Sequence, residues 1–217
     1  LDLPGFGHSG DLPHYSIQIS ADFICGFIKT LSVKHSLVSV SMGSFVGADI
    51  ALRFPKYIHK AILTGPVIKD GRHKHIPTAI NIFLRAIQKS SYSKAAIKRI
   101  IETRAAAYFT AKYLNMYRWN REIVDLYGMI GKRLVRKEAY VDMGVSASKY
   151  DLKSILADLT VPTLLILGNK DIYTSAQIVR KEILPLNKNL KLAVIKDAGH
   201  VTPWEKPKEV AHLIVKF

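Results

Sequence analysis

The sequence predicts an α/β fold in which a parallel sheet is covered on both faces by helices. In two separate parts of the 217-residue chain, short β-rich runs alternate with stretches of helical spacing, an order typical of a parallel sheet with crossover helices. Between these parts lies a long interruption without any strand-like run. We therefore expect a core formed by residues 1–68 and 156–217, and an all-helical insertion over residues 69–155, which we call the cap.

The predicted elements follow the spacing of apolar residues, which separates helices from short β-rich strands. In the first core part we expect a helix over residues 17–31, a strand over 36–40, a helix over 44–54 and a strand over 60–64. In the second we expect a strand over 163–167, a helix over 175–183, a strand over 191–195 and a helix over 207–215. Helical spacing in the cap covers residues 79–88, 93–109, 117–127 and 131–143.

The composition is that of one soluble globular domain, with 48% hydrophobic residues to form a core. No apolar run approaches the roughly 18 residues that would suggest a membrane span, and no signal peptide is visible. We therefore expect a cytoplasmic protein. The single cysteine, Cys25, excludes an internal disulfide and is expected to be a small buried hydrophobe.

Positive charge is concentrated in the cap. Residues 69–153 contain 18 Lys and Arg against 7 Asp and Glu, a net charge of +11 out of the chain's +15. Three explanations stay open: a solvated helix surface, an anionic membrane surface as the source of substrate, and an acidic substrate or partner. The membrane hypothesis needs one outward helical face that carries Lys132, Arg133, Arg136 and Lys137. Nucleic acid binding is disfavoured, because the cap aromatics have packing spacing and no recognised motif is present.

A strand that breaks into a small-residue turn before a helix predicts a nucleophile at Ser41. The turn reads Ser39-x-Ser41-x-Gly43, close to the Gly-x-Ser-x-Gly pattern in which a sharp turn holds the serine hydroxyl clear of the sheet. Serine at the first position departs from that pattern. It is small enough to fit, although it leaves the turn less free to strain.

Two later segments place a carboxylate and an imidazole after predicted strands. Asp171 follows the buried run 161–167, and His200 follows the run 192–195. Asp171 would fix the tautomer of His200, which would take the proton from Ser41. We therefore expect the Ser41 hydroxyl and the Asp171 carboxylate to lie within hydrogen-bond reach of the two ring nitrogens of His200.

With these segments the chain resembles α/β-hydrolase fold proteins that carry a helical cap, and the opening Asp2-x-Pro4-Gly5-x-Gly7-x-Ser9 is similar to the segment after their fourth strand. The resemblance implies a serine hydrolase for an ester or related small acyl substrate, with Ser41 as nucleophile, His200 as base and then acid, and Asp171 as orienting carboxylate. It implies Met42 N–H as an oxyanion donor, and neither cofactor nor metal. Epoxide hydrolase and haloalkane dehalogenase chemistry are disfavoured, because they need a carboxylate where this chain has Ser41.

Other functions of the same fold stay open. A C–C bond hydrolase and an acyltransferase reuse the triad, and a non-catalytic binding protein can share the fold. The family carries earlier strands and a loop with a second oxyanion donor, so we expect a fragment whose first strands are missing and whose strand 36–40 is an unpaired edge. The oligomeric state is open. We expect His73 and His75 on the surface rather than at a metal, and Glu205 to position its loop rather than take part in chemistry.

Overall fold

A computed structural model describes the backbone of residues 1–68 and 75–217 and the side chains of residues 1–68 and 82–217. The predicted surface histidines lie outside this part, since His73 is not described and His75 is described only in its backbone. No helix of the described residues combines the length and the apolar character needed to cross a membrane. Cys25 is buried and unpaired, as expected.

Four parallel strands form one sheet and confirm the predicted fold class. They are β1 (His35–Val40), β2 (Ile58–Thr64), β3 (Thr163–Gly168) and β4 (Leu190–Ile195), in spatial order β1-β2-β3-β4. The cap separates β2 from β3 in sequence, yet the two pair directly, with Leu63 opposite Leu165. Within the described residues β1 pairs only with β2, so it is the expected edge strand. Parallel strands end at one edge of the sheet, which gathers the loops that follow them.

Helices account for most of the remaining regular structure. Along the described chain they are α1 (Ile17–Lys29), α2 (Met42–Arg53), α3 (His75–Gln88), α4 (Ser91–Ile101), α5 (Arg104–Thr110), α6 (Arg121–Ile123), α7 (Met129–Leu134), α8 (Lys137–Lys149), α9 (Leu152–Asp158), α10 (Ala176–Ile178), α11 (Thr202–Glu205) and α12 (Pro207–Lys216). Single π-helical turns continue α5, α6 and α10 over Ala111–Asn115, Val124–Gly128 and Val179–Ile183. Short 3₁₀ turns lie at Pro55–Tyr57 and Leu184–Leu186.

The cap helices are more broken than their apolar spacing predicted. The single helix expected over residues 93–109 is α4 followed by α5, because the Thr103 side chain accepts from Ala106 N–H and starts a new helix. The helix expected over 131–143 is α7 followed by α8. Here Arg136 is extended and donates its N–H to the carbonyl of Gly5 at 2.8 Å. The short α9, just before β3, was not predicted.

This break removes the single basic face that the membrane hypothesis required. Lys132 and Arg133 lie in α7, whereas Arg136 lies in the break and Lys137 begins α8. Arg136 is bound to Asp11 at 2.8 Å. Lys132 is half-buried, and burial lowers the pKa of its ammonium group. The expectation of one outward stripe formed by these four residues is therefore wrong.

One hydrophobic cluster joins the sheet, its first helices and part of the cap. Buried residues of β2 and β3 on one sheet face pack with Ile17 and Ile50, and the same cluster contains Ala139 and Met143 of α8. The opposite sheet face packs on Val210 of α12. A separate small cluster lies within the cap and consists of Ala107, Ala111, Met116, Val124 and Met129. Helix α8 is thus packed as part of the main core, while the domain boundaries at residues 68 and 156 stay a prediction.

Candidate active site

Ser41 occupies a strained turn between the edge strand β1 and helix α2. Its φ of 51° and ψ of −114° lie where residues other than glycine are seldom found. Two hydrogen bonds hold this conformation: Ser41 N–H donates to the carbonyl of Thr64 at 2.9 Å, and the Ser41 carbonyl accepts from Ser44 N–H at 2.9 Å. The turn places the Ser41 side chain at the carboxyl end of the sheet, as a nucleophile elbow requires.

Gly47 on α2 leaves space for Ser39, which stands where the Gly-x-Ser-x-Gly pattern has its first glycine. A Cβ built on Gly47 would lie 2.7 Å from Oγ of Ser39, so glycine at this position leaves room for that hydroxyl in its observed conformation. Oγ of Ser39 also lies 3.4 Å from the carbonyl of Ile62 on the neighbouring strand. The departure from the pattern therefore leaves the close packing of strand and helix intact.

The three predicted side chains lie in one hydrogen-bonded chain. Oγ of Ser41 is 2.7 Å from Nε2 of His200, and Nδ1 of His200 is 3.0 Å from Oδ2 of Asp171. Because the carboxylate accepts at Nδ1, the neutral ring presents its lone pair at Nε2 to the serine hydroxyl. Asp171 and His200 are both buried. The geometry permits proton transfer from Ser41 to His200, while the catalytic role of each residue stays a prediction.

The Asp171 carboxylate is fixed by its own loop. Its second oxygen, Oδ1, accepts from Tyr173 N–H at 2.8 Å and from Thr174 N–H at 3.3 Å. These bonds leave Oδ2 for the imidazole. The Tyr173 ring packs on the His200 ring with a centroid distance of 4.6 Å. Burial and the nearby Asp171 carboxylate raise the pKa of Tyr173 to about 12, so its phenol stays neutral at physiological pH.

Gly65 allows the loop of His200 to lie against the end of β2. Its φ of 55° is in the left-handed region, and a Cβ there would lie 2.5 Å from the His200 carbonyl and 3.3 Å from two ring atoms. Neither Gly65 nor Tyr173 was predicted as part of the site. A glycine directly after a predicted strand was the available signal for Gly65, whereas no pattern in the sequence marks Tyr173.

Substitution of Gly65 by alanine should displace His200. We expect Gly65→Ala to lower turnover of an ester about 10²-fold, because misplacement of a reacting group by about 1 Å costs that much. The strained φ should cost about 1–3 kcal/mol of stability. Steady-state kinetics and thermal unfolding measure the two effects. Gly26→Ala in α1 is the matched control, since a Cβ at Gly26 meets nothing within 4 Å. Equal turnover of the two variants would contradict the proposed contact.

The backbone N–H of Met42 is available at the start of α2. As the first residue of a helix, Met42 has no acceptor for its N–H within the helix. The N-terminal end of a helix also carries partial positive charge. A negative oxygen that forms beside Ser41 would meet this donor, so the expected oxyanion role of Met42 is compatible with the structure and stays a prediction.

The comparisons with known proteins agree with this architecture. A sequence model described as the alpha/beta hydrolase family matches residues 1–213. The chain is 22% identical to pimeloyl-(acyl-carrier protein) methyl ester esterase of Wigglesworthia glossinidia brevipalpis, over the whole chain and 83% of that protein. It is 25% identical to monoacylglycerol lipase ABHD6 of Mus musculus and spans 66% of its length.

A solved structure shows the same fold at low sequence identity. A thermophilic esterase from Thermogutta terrifontis is similar to the chain with a TM-score of 0.72 and 20% identity, over 99% of this chain and 76% of the esterase. The parallel sheet, the elbow at Ser41 and the match of the family model to residues 1–213 lead to one assignment. The chain belongs to the alpha/beta hydrolase family.

Proposed function

We propose that the protein is a serine hydrolase that cleaves an ester or related small acyl compound. The observation that carries this proposal is the continuous hydrogen-bonded chain from Ser41 through His200 to the buried Asp171. Strained backbone conformations such as that of Ser41 cluster at functional sites. A serine bonded to a buried histidine, which is in turn oriented by a carboxylate, has the geometry of an activated nucleophile. The relatives named as an ester esterase and a monoacylglycerol lipase support an acyl substrate.

The reaction proceeds through a covalent acyl-enzyme. His200 takes the proton of Ser41 at Nε2 as the hydroxyl attacks the carbonyl carbon, and Met42 N–H donates to the resulting oxyanion. When the tetrahedral intermediate collapses, His200 returns the proton to the leaving alcohol. His200 then takes a proton from a water molecule that attacks the acyl carbonyl. It returns this proton to Oγ of Ser41 as the bond between Oγ and the acyl group breaks and the acid is released. Loss of one oxyanion donor typically costs about 10²–10³ in rate.

Two alternative reactions use the same residues differently, and a third alternative is not catalytic. An acyltransferase would pass the acyl group to an acceptor other than water, and a C–C bond hydrolase would release a carbon leaving group. Both would still need Ser41 and His200. A non-catalytic binding protein would need neither, and the intact hydrogen-bonded triad argues against it.

Reaction with a fluorophosphonate tests the proposed class directly. An activated serine attacks the phosphorus, expels fluoride and retains the phosphonyl group. We expect one phosphonyl group per chain, and slower labelling in the presence of p-nitrophenyl butyrate. A folded protein that neither reacts with the probe nor hydrolyses the ester would contradict the proposal.

We further propose that the acyl substrate is taken from an anionic lipid surface through a helical hairpin of the cap. The α5–α7 hairpin, residues 104–134, packs internally through the small cluster that includes Ala107, Ala111 and Val124. Its outer faces carry large apolar side chains that are between 52% and 59% exposed, namely Phe109, Tyr113, Leu126, Tyr127 and Ile130. The hairpin contains six Lys and Arg against two Asp and Glu. Exposed apolar groups among basic ones suit an interface with anionic lipid.

Sedimentation with lipid vesicles tests this surface. Binding to phosphatidylcholine vesicles should rise with added phosphatidylglycerol and weaken between about 0.1 M and 1 M salt, as the Debye length falls from about 10 Å to about 3 Å. Phe109→Ser with Lys112→Glu should weaken binding and leave p-nitrophenyl butyrate turnover unchanged. Lys188→Glu, at an exposed lysine outside the cap, is the control for the same change of net charge. No preference for anionic vesicles at low salt would leave the basic cap as a solvated surface.

A further inference from the structure

The carboxylate of Glu205 connects the catalytic histidine loop to a turn of the cap. Glu205 ends α11, five residues after His200. Its Oε1 accepts from Gly199 N–H at 2.7 Å. Its Oε2 accepts from two N–H groups of the cap, those of Tyr117 at 2.9 Å and Arg118 at 2.8 Å. One carboxylate thus receives three backbone donors from segments that are more than 80 residues apart in sequence.

The cap also accepts hydrogen bonds from the backbone of the same loop. The carbonyl of Asn115 accepts from His200 N–H at 2.7 Å and from Val201 N–H at 3.2 Å. The two backbones approach so closely at Gly199 that a Cβ there would lie 2.7 Å from the nitrogen of Tyr117. Residues 115–118, which we call the cap turn, and the loop of His200 therefore form one hydrogen-bonded unit.

Only a carboxylate of this length satisfies the arrangement. All three groups that face Glu205 are donors, so the side chain must be an acceptor at both oxygens. Glutamine would present an amide N–H₂ to either Gly199 or the cap turn, and aspartate is one methylene too short to bridge both. None of the hydrogen bonds that Glu205 makes within the described residues goes to Ser41, to Asp171 or to the ring of His200.

We infer that Glu205 is a positioning residue that aligns His200 with Ser41 by tying the histidine loop to the cap turn. The expected effect on turnover rests on the proposed function. The inference adds to that function a link between the position of the cap turn and the position of His200. Any movement of the cap turn on substrate entry is transmitted through Glu205 to the backbone of His200. The catalytic base is therefore fully placed only when the cap turn is in the position described here.

Glu205→Gln is the variant that tests the role, and Glu209→Gln in α12 is its matched control. Glu209 is exposed, and its carboxylate lies 3.5 Å from the Lys206 ammonium group. We expect Glu205→Gln to lower kcat for p-nitrophenyl butyrate about 10- to 100-fold and to leave KM nearly unchanged, since misplacement of the base affects the chemical step more than ground-state binding. Glu205→Asp keeps the charge but is too short to bridge both segments, so it should lower kcat as well, because the bridge and not the charge positions His200. Glu209→Gln should match the unsubstituted protein.

Amide hydrogen exchange provides a readout that does not depend on activity. In Glu205→Gln, amide exchange should become faster both in the cap turn and in residues 199–201. In Glu209→Gln, exchange in both segments should match that of the unsubstituted protein. Unchanged kcat, or unchanged exchange in either segment, would overturn the inference. A fall in kcat accompanied by an equal rise in KM would also overturn it. If the unsubstituted protein is inactive toward esters and fluorophosphonates, the proposed function fails, while exchange still decides whether Glu205 ties the two segments.

Discussion

Ser41→Ala should abolish ester hydrolysis without unfolding the protein. Loss of the nucleophile of a triad lowers turnover by roughly 10⁴–10⁶, and it is the Ser41 hydroxyl that lies 2.7 Å from Nε2 of His200. The substitution removes one hydroxyl from a turn held by the backbone bonds of Ser41 to Thr64 and Ser44. We therefore expect a change in stability of less than about 1 kcal/mol. Hydrolysis of p-nitrophenyl butyrate and thermal unfolding measure the two quantities.

Ser36→Ala is the matched control for this experiment. Ser36 is exposed on the same strand, β1, five residues before Ser41. It should retain the turnover of the unsubstituted protein. Unchanged turnover in Ser41→Ala would show that another nucleophile, or a contaminating enzyme, is responsible for the activity.

Asp171→Asn should lower turnover about 10⁴-fold, by forcing the wrong tautomer on His200. The two N–H groups of Tyr173 and Thr174 require an acceptor, so they should retain the amide oxygen. The amide N–H₂ then faces Nδ1 of the ring, which must become an acceptor. The ring proton moves to Nε2, and Nε2 can no longer accept the proton of Ser41.

Asp197→Asn is the control for removal of a charge near the histidine. Asp197 lies in the same loop, and its carboxylate is 3.9 Å from Arg118, a partly exposed ion pair that contributes little. This variant should retain turnover within a few-fold. If Asp171→Asn were equally active, Asp171 would be a structural loop residue and the base would be oriented by another group.

The sequence was sufficient to predict the sheet and the approach of the three candidate site residues to one another. Each strand is a short apolar run followed by a turn, and parallel strands place these turns at one edge of the sheet. Ser41, Asp171 and His200 each follow a strand, so their approach to one another follows from topology alone. A sharp turn at Ser41 was also expected from its small neighbours Ser39 and Gly43. The structure makes the turn tighter than expected, because α2 begins at Met42 rather than at residue 44.

The cap could not be predicted to the same extent, because its breaks depend on contacts between distant segments. The helix expected over 131–143 ends early, since Arg136 N–H is bound to the carbonyl of Gly5. Lys132 was expected on a solvent-exposed stripe with three other basic residues, but it is half-buried. For Glu205 the sequence indicated a role in its own loop. The bonds to Tyr117 and Arg118 could not be inferred, because no periodicity relates residues that lie 87 and 88 positions apart.

The site of fluorophosphonate attachment tests the central claim most directly. The labelled protein is digested, and the phosphonyl group is located by mass spectrometry of the peptides. We predict a single modified residue, Ser41, and no modification in the Ser41→Ala variant. Attachment at any other residue, or no attachment to the folded and unsubstituted protein, would contradict the assignment of Ser41 as the nucleophile of a Ser-His-Asp triad.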